Sequence, residues 1–102
     1  MLELRPNCER CDRDLPPEST EARICSYECT FCADCAHNHL HNVCPNCGGG
    51  FAPRPVRPRT EWRKGISRVH QPPSAERRRL KWDEHEIAEH VARIRSMPAA
   101  ER

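Results

Sequence analysis

Apolar side chains are sparse along this chain and fall into two patterns. In residues 1–52 they are Leu2, Leu4, Leu15, Ile24, Tyr27, Phe31, Leu40, Val43 and Phe51, with some Ala. They come singly or in brief alternations, which leaves room only for short elements. Ala22-Arg23-Ile24 predicts a strand, residues 27–31 its return, and residues 33–40 a short helix. The period becomes helical in residues 74–97. Ile87, Val91 and Ile94 recur at i, i+4 and i+7, and Leu80 lies one turn-pair earlier on the same stripe. Asp83 followed by Glu86 has the form of a helix cap with its return partner, and Pro98 ends the pattern. The stripe is narrow: it can dock on the rest of the chain, meet a partner helix, or stay idle.

Between the two patterns lies a stretch without periodicity. Residues 53–73 hold Pro53, Pro55, Pro58, Pro72 and Pro73 among arginines, which predicts an extended linker. Gly48-Gly49-Gly50 marks the turn that closes the first segment. The expected organisation is a module over 1–52, a Pro/Arg-rich linker over 53–73, an amphipathic helix over 74–97 and a disordered tail over 98–102.

So few apolar residues in the first 52 cannot offset the chain entropy by burial alone. Cysteine supplies the missing constraint. All eight cysteines of the chain lie in its first 47 residues. They form four pairs: Cys8 with Cys11, Cys25 with Cys29, Cys32 with Cys35, and Cys44 with Cys47. Four pairs are what two tetrahedral zinc ions require. Disulfides are the alternative staple. The opening Met1-Leu2-Glu3-Leu4-Arg5 has no apolar run of the kind a signal peptide uses, and no later run is long enough to span a membrane. The expectation is therefore a cytoplasmic chain in a reducing compartment, where thiols bind metal and disulfides rarely persist.

The net charge of +2 hides an asymmetry. Residues 1–52 carry four Arg and eight acidic residues, a net −4. Residues 53–82 carry ten basic and two acidic residues, a net +8, and residues 83–102 a net −2. Two zinc ions on eight thiolates would take the module to about −8 by formal count. An acidic knob is joined to a basic strap.

Spacing leaves open which pairs share an ion. Neighbouring pairs can combine, or the first can combine with the third and the second with the fourth. A resemblance bears on this. The string Cys29-Thr30-Phe31-Cys32-Ala33-Asp34-Cys35, followed by Cys44-Pro45-Asn46-Cys47, resembles the second half of a RING finger. An aromatic precedes the fifth ligand, Pro follows the seventh, and Cys29 stands where that family commonly has His. The resemblance covers residues 8–47. It implies a small zinc-stabilised α+β domain with an interleaved cross-brace: Cys8, Cys11, Cys32 and Cys35 on one ion, and Cys25, Cys29, Cys44 and Cys47 on the other. His37, His39 and His41 are the alternatives to Cys29. The ubiquitin-ligase activity of RING proteins uses an apolar residue between the first two ligands, where this chain has Glu9 and Arg10. It also uses a long basic side chain after the last ligand, where this chain has Gly48. The opening residues 1–8 and the run Ile24 to Cys32 further resemble a family of short cysteine-rich bacterial proteins of unknown function, over roughly residues 1–60.

No catalytic residues are expected. Closed four-cysteine sites leave zinc no open position. The deaminase pattern needs Pro before Cys44, where Val43 stands. His85 and His90 are spaced i, i+5, about 140° apart around a helix, so they cannot share a metal as a metalloprotease pair does. A non-catalytic binding role is expected instead, with a protein partner. Nucleic acid is the alternative, through Arg54, Arg57, Arg59, Arg63, Lys64, Arg77, Arg78, Arg79 and Lys81, with Trp62 and Trp82 as stacking platforms. Charge complementarity supplies a third possibility, in which the basic strap folds onto the acidic module.

Overall fold

The computed structural model describes residues 1–102. Its centre is a three-stranded antiparallel sheet in the order β2-β1-β3. Strand β1 is Ala22–Ile24 and β2 is Thr30–Cys32, paired Ala22 with Cys32, Arg23 with Phe31 and Ile24 with Thr30. The two-residue β3, Ala52–Pro53, adds to the other edge of β1. Pro53 is tolerated there because an edge strand can spare one N–H. Strand β1 falls where the alternation places it. The return strand starts later than residue 27: Tyr27 lies in the connecting turn and is exposed. The turn is tightened by Cys25 N donating to the Cys29 carbonyl at 3.2 Å, with Glu28 in the left-handed region at φ 69°.

After β2 the chain makes one wide helical turn, Cys35–His39, whose Leu40 N donates five residues back to the Cys35 carbonyl at 2.8 Å. A regular α-helix, Glu84–Ile94, here α1, follows far along the chain. Asp83 caps it: its side chain accepts from Glu86 N at 2.8 Å, and the Glu86 carboxylate accepts from Asp83 N at 3.2 Å. The cap is where the sequence puts it, but the expected helix over 74–97 is shorter. Residues 74–82 form no regular element, because their backbone donors go elsewhere. Ser74 N donates to the Leu4 carbonyl, Leu80 N to the Glu9 carbonyl, and Arg78 N to Asn7 Oδ1.

The core gathers Leu15, Phe31, Leu40 and Val43 with the buried cysteines, and Ile87 and Val91 of α1 close it from one side. The helix stripe therefore docks on the N-terminal module. Phe51 packs edge-on against Phe31, ring centroids 5.3 Å apart.

The basic segment is strapped down at several points. Arg54 is buried and donates to the carbonyls of Arg5, Leu15 and Pro16 at 2.8, 3.2 and 3.0 Å. Arg57 reaches the Gln71 and Leu2 carbonyls, Arg68 pairs with Glu18, and Arg77 with Asp12 and Asp14. The last residues, expected to be disordered, form a short turn at Ala99–Glu101. It is held because Arg102 donates to the carbonyls of Asn42 and Gly48 at 2.7 and 3.0 Å. No helix is long and apolar enough to cross a membrane.

Candidate metal centre

Two of the cysteine pairs are built to one plan. Cys8 N donates to the Arg13 carbonyl and Asp12 N donates back to the Cys8 carbonyl, at 2.8 and 2.9 Å. In the last pair, Cys44 N donates to the Gly49 carbonyl and Gly48 N to the Cys44 carbonyl, both at 2.8 Å. Each turn places a left-handed residue just after its second cysteine, Asp12 at φ 67° and Gly48 at φ 80°. Glycine adopts that conformation without strain, and Asp is one of the few other residues that tolerate it. The result is a knuckle that aims two sulfurs the same way.

Four strands of chain converge on two sulfur clusters. Cys8, Cys11, Cys32 and Cys35 have their sulfurs within 4.8 Å of one another, and so do Cys25, Cys44 and Cys47. The first pair thus meets the third, and Cys25 of the second meets the fourth. This is the interleaved arrangement that spacing left open. Strand β2 explains it: Cys29 and Cys32 flank Thr30 and Phe31, and the hairpin carries Cys25 one way while the wide turn carries Cys35 the other. All eight cysteines are free thiols. Cys11 and Cys32 stand 3.9 Å apart, sulfur to sulfur, far beyond a disulfide bond. Four sulfurs at about 2.3 Å from a shared tetrahedral ion stand about 3.8 Å from each other. The donor set and its spacing therefore fit a metal ion.

Cys29 falls outside the mutual 4.8 Å limit of the second cluster, yet it adjoins it. Hydrogen bonding with the Cys29 and Cys44 thiols drives the Cys25 thiol down to about 3. The same sharing, with Cys25 first and Cys29 next, pushes Cys44 far up. Cys25, Cys29 and Cys44 thus lie within hydrogen-bonding reach of one another. In the first cluster burial pushes Cys8 and Cys35 up. Burial opposes the lowering of Cys11, which the backbone N–H of Arg13 and the neighbouring thiols bring about. His37, His39 and His41 join neither cluster. His39 instead faces Asp34 at 3.3 Å.

A second set of groups addresses the sulfurs, as hydrogen-bond donors that favour the thiolate form. Backbone N–H groups of Tyr27, Cys35 and Gly49 point at Cys25, Cys32 and Cys47 at 3.3–3.4 Å. Arg10 reaches Cys35 Sγ at 3.5 Å, and Asn46 Nδ2 reaches Cys29 Sγ at 3.5 Å. The C-terminal segment braces both clusters. Glu84 pairs with Arg10 at 3.5 Å, His90 Nε2 lies 3.0 Å from the Cys44 carbonyl, and Trp82 Nε1 donates to Asn46 Oδ1 at 3.0 Å. Spacing points to none of the supporting side chains, because their partners lie 17 to 74 positions away. The one local signal is Pro45-Asn46 inside the last pair. Of the basic residues expected to face nucleic acid, Arg54 and Arg57 point into the module, and Arg77 and Arg78 pair with its carboxylates at the surface. Arg59, Arg63, Lys64, Arg79 and Lys81 remain exposed.

Fold and sulfur sites together define a small α+β protein with two cysteine clusters able to hold metal. The chain belongs to the family described as a protein of unknown function (DUF1272), whose profile matches residues 1–57. Those residues include all eight cysteines and Arg54. It is similar to an uncharacterized protein, R02474, of Rhizobium meliloti (strain 1021). The two are 62% identical over 64 residues, 63% of this chain and 76% of that protein. The resemblance to a bacterial family of unknown function is thereby met. No solved structure matches the chain.

Proposed function

We propose that the protein is a non-catalytic binding module whose N-terminal half is held by two structural zinc ions. Cys8, Cys11, Cys32 and Cys35 would hold one; Cys25, Cys29, Cys44 and Cys47 would hold the other. The observation that carries this is the interleaving of the clusters. Each cluster joins segments separated in sequence, which supports a RING-like cross-brace and would supply the constraint that so small a core lacks. Sulfur-only tetrahedral sets suit zinc, with an iron–sulfur centre the competing occupant. Zinc bound to four thiolates supplies a cross-link and no open position for substrate.

A protein partner fits the remaining surface. Trp62, Ile66 and Val69 are 77%, 57% and 79% exposed on one loop, more apolar surface than a solvated linker needs. Ligase activity is not part of the proposal. Glu9, between the first two ligands, is buried against Arg5 and Thr30 N, and Arg10 is engaged by Cys35 and Glu84. Thiol ligation of this kind belongs in a reducing, cytoplasmic setting.

Native mass spectrometry with elemental analysis tests the scaffold. Two zinc ions are expected per chain, and one in Cys29→Ser. Two ions retained in that variant would remove Cys29 from the ligand set. A metal-free purified chain, or one whose thiols are oxidised in pairs, would overturn the reading. Affinity capture by wild type and by Trp62→Ser tests the partner surface, and an unchanged set of captured proteins would reject that loop.

A further inference from the structure

Trp82 stands between two hollows. One, about 360 Å³, lies toward α1 and is lined by Glu86, Glu89, His90 and Arg93, among others. The other, about 630 Å³, lies along the strap and is lined by Arg5, Glu9, Arg78, Arg79, Lys81 and Trp82, among others. The indole is 46% exposed. Its N–H is tied to Asn46 Oδ1 at 3.0 Å, so the ring is fixed in orientation while part of its surface stays open. Fixing an aromatic plane before a ligand arrives removes an ordering cost from binding.

The cations of the basic hollow differ in how firmly they are held. Arg5 is bound to Glu3 and Glu9 at 2.8 and 2.9 Å and belongs to the scaffold. Arg78 is held loosely: its Nη2 lies 3.4 Å from Glu3 and 3.6 Å from Glu76, and its buried Nε has no partner among the protein's atoms. Arg79 has a single contact, 3.5 Å from Asp12, and Lys81 has no ion pair. Three weakly engaged cations thus sit on an irregular stretch of chain that ends in a fixed, partly exposed Trp82. Phosphates satisfy such donors, and a nucleobase satisfies such a plane.

We propose that this groove binds single-stranded nucleic acid, with a base stacked on Trp82 and the phosphodiester backbone held by Arg78, Arg79 and Lys81. The hollow runs beside consecutive residues Arg77, Arg78 and Arg79 and on to Lys81 and Trp82, an order of donors and stacking plane that suits a strand. The hollow on the other side of Trp82 sets Arg93 against Glu86 and Glu89, so the strap side, richer in cations, is the favoured side of approach. The proposal rests on the zinc-scaffold reading at one point: Asn46, which anchors Trp82, also donates to Cys29 at the edge of the second cluster.

Binding of a fluorescent twelve-residue oligothymidylate to the full-length protein tests this, with metal content measured on the same samples. Trp62→Phe leaves Trp82 as the single tryptophan, so quenching of its emission on titration reports stacking. The expected slope of log affinity against log salt is about −2, from three phosphate contacts, and Lys81→Ala lowers its magnitude by about 0.7. Trp82→Ala weakens binding by about fivefold to a hundredfold, the range for loss of one stacked base. Equal affinity for an abasic oligonucleotide or for polyglutamate would overturn the proposal, since charge alone would then explain binding. Preference for duplex would overturn it too, as would binding lost in Trp62→Ala but kept in Trp82→Ala. Zinc-loaded protein that fails to bind overturns the groove and leaves the scaffold standing. Protein that lacks zinc overturns the scaffold first. Circular dichroism on each variant separates lost contact from lost fold.

Discussion

At the scale of single residues, Gly48 and Arg54 carry constraints of different kinds. Gly48 sits at φ 80°, and a Cβ there would meet only the flexible tip of Ile94 at 3.4 Å and the His90 ring at 4.0 Å. Space is not the obstacle; the left-handed backbone is. Gly48→Ala should therefore lower stability by about 1–2 kcal/mol, and Gly48→Asn by less, since Asn tolerates that region better. Denaturant unfolding of the metal-loaded protein reads both. The glycine is legible in the sequence, because it follows the second cysteine of a knuckle. Arg54 is not. Its position in a Pro/Arg-rich stretch suggests a solvated cation, yet it is 4% exposed and spans three backbone carbonyls. Burial lowers its pKa, and no carboxylate compensates it. Removing it would strand those carbonyls, so Arg54→Met should cost about 3 kcal/mol, with Arg54→Lys recovering part. A variant within about half a kcal/mol of wild type would mean that water satisfies the carbonyls equally well.

At the scale of elements, α1 separates what local pattern fixes from what it does not. Its cap and its stripe are local properties, and both are where the sequence places them: Asp83 and Glu86 make the reciprocal cap, and Ile87 and Val91 are buried. Its start is another matter. Residues 74–82, Ser-Ala-Glu-Arg-Arg-Arg-Leu-Lys-Trp, have helical propensity, but three of their N–H groups are taken by Leu4, Asn7 and Glu9. Long-range pairing overrides propensity there, and no window of sequence contains those partners. The cysteine clusters show the same division. Spacing yields the four pairs; the choice of which pairs meet needs the hairpin geometry of β1 and β2. Because α1 docks by few side chains, each should matter. Ile87→Ala should destabilise by about 2–4 kcal/mol through the cavity it leaves, and Asp83→Ala by about 1 kcal/mol through the lost cap. If both fall within error of wild type, the helix contributes nothing to the fold and its docking is incidental.

For the whole molecule, the question is whether the strap and helix are stable without the sulfur clusters. An isolated helix of 11 residues is marginal in water. The strap has no ladder of its own; its arginines bond to carbonyls and carboxylates that the module supplies. The module in turn has a core of a few large apolar side chains wrapped around its cysteines. The strap and helix therefore depend on the module and the module on its clusters, while Ile87 and Val91 return part of that stability to the core. Structural zinc contributes on the order of 10 kcal/mol per site in small domains, more than the net stability typical of a chain this size. Chelation should then unfold all 102 residues in one step: helical ellipticity at 222 nm and amide protection in α1 should vanish along with protection in β1 and β2. Breaking only the second cluster, with Cys44→Ser, should loosen α1 first, because His90 and Trp82 are braced against that cluster and its Asn46. A metal-free protein that kept protected amides in the sheet would place the source of order in the apolar core. A helix that survived chelation while the module melted would break the chain of dependence at its last link.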